Sequence, residues 1–249
     1  MTNKPNLILV QKDEPFCHST EALCCVSYQF LHDVPLKRVY LEELSLFSKE
    51  LSDPTTLAVG TVEFLKKCFE IKNKTLPFNS FDTYPSCFES FYQQKITKTT
   101  LKAIDWQNIR QFIKPVVVKQ FNAFCLNSQN PQDLSEIDYA KSLSPLCEVY
   151  CCSLLDIDQE WRVYVADNKA LCFSRYDDNS SPDFFDYSFV KSVLDCSSLR
   201  HPFALDVARL KDGSWTIVEC NDAWAIGLYN KCMSPTQYIN WLYQRWLLI

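Results

Sequence analysis

The chain has 249 residues, 47% of them apolar, enough for one large domain or for two or three small lobes around a cleft. A net charge of −5, with no Lys/Arg run longer than two residues, excludes the dense basic face that non-specific nucleic-acid binding needs. No apolar run approaches the length of a bilayer span, and MTNKPNLILVQKDEPF has too few consecutive aliphatic residues for a signal segment, so a cytoplasmic protein without membrane contact is expected.

Leu7 to Val10 reads as a first strand, and Ala22 to Leu31 as a buried helix or strand, a choice that pattern alone leaves open. Thr56 to Val59 reads as another short strand and Gly60 as a tight connection. VEFLKKCF then forms a helix with Phe64, Leu65, Cys68 and Phe69 on one face. Alternating strands and helices predict a small open α/β lobe over residues 1–80. Leu76 to Tyr84 (LPFNSFDTY) is rich in turn formers and ends at Pro85, which predicts a linker. Ser86 to Gln94 and Thr100 to Phe112 carry helical periodicity.

FIKPVVVKQF, Phe112 to Phe121, is a β-branched run with Lys114 and Lys119 embedded in it. A strand over Glu148 to Leu155 leads through Asp156, Asp158 and Glu160 into WRVYVADNKALCFSRY, a hairpin turning at Asp167, Asn168 and Lys169. The second half is therefore mainly antiparallel. Ser234 as N-cap, Pro235 at the first helical position, and Ile239, Leu242, Tyr243 and Trp246 at helical spacing predict a C-terminal helix packed on the core. An oligomer contact through the terminal Leu-Leu-Ile is the alternative use of that segment, and oligomeric state is open.

Thirteen cysteines without a C-x-x-C pair, two pairs of them adjacent (Cys24/Cys25 and Cys151/Cys152), suit small buried hydrophobes better than a zinc knuckle or a disulfide framework. Cys147, Cys151 and Cys152 lack the spacing of metal ligands. His18, His32 and His201 sit beside no recognisable nucleophile elbow. With three glycines the chain contains neither a P-loop nor a dinucleotide fingerprint.

The chemistry concentrates in one hairpin. ALDVARL (Ala204 to Leu210) and WTIVEC (Trp215 to Cys220) are strands joined through Asp212-Gly213, a strong hairpin signal. If those two residues are the loop, Lys211 pairs with Ser214, and Asp206 falls directly opposite Glu219. Like charges so placed, with Cβ atoms about 4.5–5.5 Å apart, are destabilising unless something offsets them. Alternation puts Asn221 on the same face as Glu219. The resulting oxygen donors suit Mg²⁺ (or Mn²⁺), and Lys114, Lys119, Arg162, Arg175 and Arg209 in nearby strand-like runs complete what a nucleoside triphosphate needs. The competing reading is ordinary charge on the solvent face of a sheet. A metal-dependent nuclease would place Lys where this chain has Asn221.

The order FIKP, EVYCCSLL, EWRVYV, ALDVARLKDGSWTIVECNDAWAIGLYN resembles the ATP-grasp superfamily, and within it the small clade named for signature arginine and lysine residues. LAVGTVEFL, Leu57 to Leu65, resembles the segment closing the preceding lobe in that clade. The resemblance implies an α+β ATP-grasp fold, two lobes with antiparallel sheets gripping ATP. Residues 81–249 would form it, with a smaller lobe at about 95–150 and a larger one at about 151–249, after the N-terminal α/β lobe. It implies that Lys114 and Lys119 hold phosphates. Asp206, Glu219 and Asn221 would bind Mg²⁺, and Cys152, Ser153 and Leu154 would line the adenine, with Asp156 or Asp158 near the ribose. Arg162 and Arg175 would steady charge on the transferring phosphoryl, while alternation turns Arg209 to the other face.

The family activity is ATP-dependent joining of a small-molecule or peptide carboxylate to an amine through an acylphosphate. A nucleotide-binding or regulatory module without turnover, and a kinase-like phosphotransferase, remain alternatives. One departure from the family pattern is the absence of Gly between Lys119 and Glu148, where a flexible loop usually covers the phosphates; Asn and Ser would have to serve there.

Overall fold

The computed structural model describes residues 4–74, 81–107, 110–117, 120–126 and 128–249. Three sheets organise them. The first is parallel, with β1 (Leu7–Gln11) between β2 (Leu36–Val39) and β3 (Thr56–Val59). Ile8, Leu9 and Val10 are buried, as a central parallel strand covered on both faces requires. The segment left open between helix and strand is α1 (Thr20–His32): Ser19 Oγ caps it by accepting from Ala22 N–H at 3.1 Å, and the left-handed Asp33 ends it. After the short α2 (Ser48–Ser52) comes α3 (Val62–Ile71), capped by Thr61, and it buries the expected Phe64, Leu65, Cys68 and Phe69. Gly60 is required between β3 and α3, because a Cβ there would meet Gln11 Oε1 at 2.9 Å and the Phe64 ring closer still.

The expected linker falls mostly outside the described residues. Beyond it, two of the expected helices do not form as such. Ser86–Phe91 is a 3₁₀ turn, after which Gln93 and Gln94 run along another strand and donate to Thr216 Oγ1 and the Val218 carbonyl, both at 3.0 Å. Thr100 to Phe112 is not helical among its described residues. β4 (Ile96–Thr100) ends there, a 3₁₀ turn spans Leu101–Ala103, and β5 (Gln111–Pro115) has begun by its close. The Thr-rich run pairs with Val149–Cys152, and Leu101 and Lys102 donate their N–H groups to the carbonyls of Cys147 and Pro145, so sheet pairing outweighs the apolar spacing. With β6 (Phe124–Cys125) and β7 (Glu148–Ser153), these strands form an antiparallel sheet in the order β4-β7-β5-β6, covered on one face by α4 (Pro131–Ser142).

The third sheet, also antiparallel, has the order β11-β10-β8-β9. Its strands are β8 (Ile157–Ala166), β9 (Lys169–Arg175), β10 (Phe203–Leu210) and β11 (Trp215–Asp222), and α5 (Tyr187–Asp195) packs on one face. Asp167 and Asn168 turn the β8–β9 hairpin with positive φ at both residues, as expected of a two-residue loop. The last helix, α6 (Pro235–Trp246), carries a capping box from Ser234 and Gln237 and buries Ile239, Leu242, Tyr243 and Trp246. It packs against α1 in the same apolar cluster as the first sheet. A buried ion pair from Arg245 to Asp222, with Nη2 to Oδ2 at 2.7 Å, fastens it to the end of β11. Cys24, Cys25, Cys68, Cys151, Cys152 and Cys220 are buried thiols as expected, whereas Cys172 and Cys232 correct that expectation by forming a disulfide. Among the described residues no helix is long and apolar enough to cross a membrane.

Candidate active site

The β10–β11 hairpin places its acids opposite one another, though not by uniform pairing. Leu210 N–H donates to Ser214 O and Gly213 N–H to Leu210 O, so the loop is Lys211–Gly213, three residues instead of two, with Gly213 at φ +88°. Arg209, Ala208 and Val207 then face Trp215, Thr216 and Ile217. A bulge at Val218 adds one residue to β11, and Asp206 meets Glu219. The longer loop and the bulge offset each other, so the pair expected from a two-residue loop is present by a different route. The bulge also lets Trp215, Ile217 and Cys220 all enter the apolar layer while Glu219 and Asn221 face the cleft. Residues 83–94 cover the edge of β11, where Cys220 N–H donates to the Thr83 carbonyl at 2.9 Å.

Two cations meet the two acids. Arg162 lies directly across from Asp206 on β8, and its Nε and Nη2 donate to Oδ1 and Oδ2, each at 2.7 Å. Lys114, from the other antiparallel sheet, donates to Glu219 Oε2. Asn221 Nδ2 touches Asp206 Oδ2 at 3.0 Å and Glu219 Oε1 at 2.9 Å, so the carboxylate oxygens converge on one point. Burial pushes the Asp206 carboxyl above its usual range, and the Arg162 charge only partly opposes this. Burial acts on Glu219 in the same sense, but the charge and hydrogen bond of Lys114, with the Asn221 bond, leave it below its usual range. A buried carboxylate, a half-buried one and an amide able to present Oδ1 on turning over are a hard-oxygen donor set that fits Mg²⁺.

Three residues of this network escaped the sequence reading. Tyr176 and Tyr229 stack with ring centroids 5.0 Å apart, and the Arg162 guanidinium carbon lies 5.4 and 5.0 Å from them. Tyr176 O–H donates to Glu160 Oε1. Burial, with the nearby Asp206 and Glu219 charges, raises Glu160 from 4.5 to about 7 against the lowering effect of that bond. Glu160 was legible in principle, since it stands two residues before Arg162 on the same strand face. Tyr229 reaches the site through tertiary packing, its N–H donating to Tyr164 Oη at 3.0 Å. Lys114, Arg162, Glu219 and Asn221 line a cavity of about 350 Å³ whose other walls include Phe121, Asn122 and Trp224.

Other expected site residues lie elsewhere. Arg175 is the clearest departure: it pairs with Trp161 on β8, which turns it to the face opposite Arg162. There it binds Asp177 through two bonds of 2.8 Å, along with Asp183 and the carbonyls of Asn179 and Ser181. Arg209 likewise points away, to Asp158 and the Phe184 ring. Asp156 is exposed, pairs with Lys211 at 2.7 Å and stands at the turn end of the third sheet. Cys152 is buried against Tyr84, Ser153 spends both its N–H and its Oγ on Lys95, and Leu154 lies just past the end of β7. Lys119 lies outside the described residues. The glycine-free stretch builds β6 and α4 and contributes Phe121, Asn122 and Ala123 to the cavity wall.

Residues 91–240 match the model of an ATP-grasp domain, the second family of the clade named for signature arginine and lysine residues. No curated protein sequence matches the chain. Among solved structures, D-cycloserine synthetase DcsG is similar with a TM-score of 0.60 at 11% identity, over 96% of this chain and 99% of that one. A RimK domain ATP-grasp protein from Sphaerobacter thermophilus gives 0.56 at 10% identity, over 97% and 99%. A D-alanine–D-alanine ligase from Bacillus anthracis, solved with ATP, gives 0.55 at 11%, over 97% and 96%. Identities this low establish a shared fold.

Proposed function

Because the chain belongs to the second family of the arginine- and lysine-signature clade of ATP-grasp domains, we propose that it is an ATP- and Mg²⁺-dependent ligase joining a carboxylate, on a small molecule or peptide, to an amine. The observation that carries this reading is the pairing of two acids, the buried Asp206 and the half-buried Glu219, with cations contributed by both antiparallel sheets. A triphosphate with its cation can exchange partners with every member of that set. Lys114 would transfer its donor from Glu219 to a phosphate oxygen, and Asn221 would turn its amide to offer Oδ1. Arg162, released from Asp206 and steadied between Tyr176 and Tyr229, would face the transferring phosphoryl. Mg²⁺, held by Asp206, Glu219 and Asn221, would neutralise charge on the phosphates. A substrate carboxylate oxygen then attacks the γ-phosphorus, the bond to ADP breaks, and the acylphosphate is open to an amine.

The first test is calorimetric titration of ATP, with and without Mg²⁺, into the wild type and into Asp206→Asn/Glu219→Gln. The expected result is Mg²⁺-dependent binding that the double variant loses, with ADP released only when suitable acids and amines are supplied together. ADP release at the wild-type rate from Glu219→Gln would remove the metal assignment. Binding without turnover across a broad mixture of acids and amines would favour a nucleotide-binding module, and phosphorylation of an acid or alcohol without coupling would favour a kinase-like reaction.

A further inference from the structure

A second cavity, about 670 Å³, adjoins the first, and Val62, Phe121, Asn122, Trp224 and Ile226 line both. Its volume is that of a small-ligand site. Its walls come from the first sheet and α1, the start of α3, the segment after β5 with α4, the chain after β11, and α6.

Among the described residues the charge of that lining is one-sided. Glu21 of α1, Glu63 of α3 and Glu136 of α4 contribute to it, whereas the described residues around it include no Lys, Arg or His. None of the three carboxylates is in a salt bridge among the described residues. Two are nonetheless fixed in place: Glu21 Oε1 accepts from Leu228 N–H at 2.7 Å, and Glu136 accepts from Asn122 N–H at 3.0 Å and from its side-chain amide at 2.6 Å. Gly227 allows the close approach of Glu21, since a Cβ there would lie 3.1 Å from Oε1. The N-terminus of α3 borders the cavity and would by itself favour an anion, but Glu63 in its first turn counters that field. Phe16, Tyr139, Trp224 and Tyr238 add aromatic surface, which together with carboxylates suits an alkylammonium group. A cleft lined by one sign of charge concentrates ligands of the other.

We infer that this cavity receives the amine substrate and selects molecules that carry a second positive charge, such as a diamine, a polyamine or the basic side chain of an amino acid or peptide. The inference rests on the ligase reading above and deepens it. In the step concerned, the attacking amine first gives one proton to water. Its nitrogen then bonds to the acyl carbon as the carbon–oxygen bond to phosphate breaks, phosphate leaves with the electron pair, and the nitrogen's second proton departs to solvent. The second ammonium remains charged throughout, held by the glutamates.

The test compares three five-carbon amines of equal length by calorimetry: 1,5-diaminopentane, 5-aminopentan-1-ol and 5-aminopentanoate. Each is titrated into the full chain, with and without Mg²⁺ and a non-hydrolysable ATP analogue. The diamine should bind about tenfold more tightly than the amino acid, with the amino alcohol between them. Glu21→Gln, Glu63→Gln and Glu136→Gln should each narrow that spread while leaving affinity for the ATP analogue unchanged. If a variant fails to fold, wild-type diamine affinity should still fall as salt rises, whereas amino alcohol affinity falls less. Equal or tighter binding of the amino acid, or no binding of any of the three in either state, would overturn the inference. Failure of the ATP analogue to bind would count against the ligase reading alone, because the nucleotide-free series still decides the charge selectivity.

Discussion

Arg162 and Arg175 sit on neighbouring strands, each well buried and each bonded to carboxylates, yet they do opposite work. Arg175 takes its partners from residues 177–183 of its own following loop, five acceptor groups within eight residues of chain. Nothing that enters the cleft competes for it. Arg162 takes its acceptor from a different strand, on the cleft face, and lies against a pair of aromatic rings on its other side. The same guanidinium chemistry closes a loop in one case and leaves an exchangeable partner in the other.

The largest effect separating them should come from Arg162→Gln. Without Mg²⁺ this variant strands the buried Asp206 carboxylate, and denaturant unfolding should show a loss of about 3–5 kcal/mol. Adding Asp206→Asn should restore much of it, and Mg²⁺ should stabilise Arg162→Gln more than it stabilises the wild type. Absence of that difference would mean that Arg162 and the cation do not share Asp206.

The pH dependence should differ in sign between the two regions. Glu160, beside Arg162, has its folded value raised from 4.5 to about 7, so its stabilising contribution is complete below 4.5 and lost as pH rises through 7, a change of about 3 kcal/mol. Comparing metal-free wild type with Glu160→Gln across that range isolates it. Asp177, beside Arg175, is lowered from 3.8 to about 2, chiefly by the Arg175 hydrogen bond. Its contribution is complete above 3.8 and lost as pH falls through 2, and Asp177→Asn should abolish that acid-side loss.

The smallest effect is expected of Arg175→Gln, a loss of about 1–3 kcal/mol from the broken loop, with nucleotide affinity within about twofold of wild type. A weakening of ATP binding as large as that of Asp206→Asn/Glu219→Gln, without loss of stability, would place Arg175 in the cleft after all.

The sequence points to the hairpin and to its two acids, but their pairing agrees with uniform alternation only because a longer loop and a bulge, neither of which leaves a local signal, offset each other. Arg162 stands out only as a basic residue in a strand-like run and through the EWRVYV resemblance. The facing of Arg175 was not legible, because spacing along a strand shows which side chains share a face but not which face meets the cleft until the neighbouring strand is aligned. The misread stretch from Thr100 to Phe112 has helical spacing of apolar residues, yet both its ends pair with β7, Thr100 opposite Glu148 and Gln111 and Phe112 opposite Ser153 and Cys152, a long-range preference with no local signal. Tyr176 and Tyr229, far apart in the chain, meet only through the packing of the third sheet against the segment that follows it.

The bulge at Val218 gives the hairpin a property that substitutions would not reveal. It acts as a phase shifter: on the turn side odd-numbered residues of β11 fill the apolar layer, and beyond it odd-numbered residues face the cleft. Losing that single residue would reverse the parity of one half or the other, driving Glu219 and Asn221 into the interior or Trp215 and Ile217 out of it. Length changes at this position are therefore all-or-none for the site, whereas most single replacements around it are graded, and a library of one-residue deletions along β11 should show its sharpest boundary there.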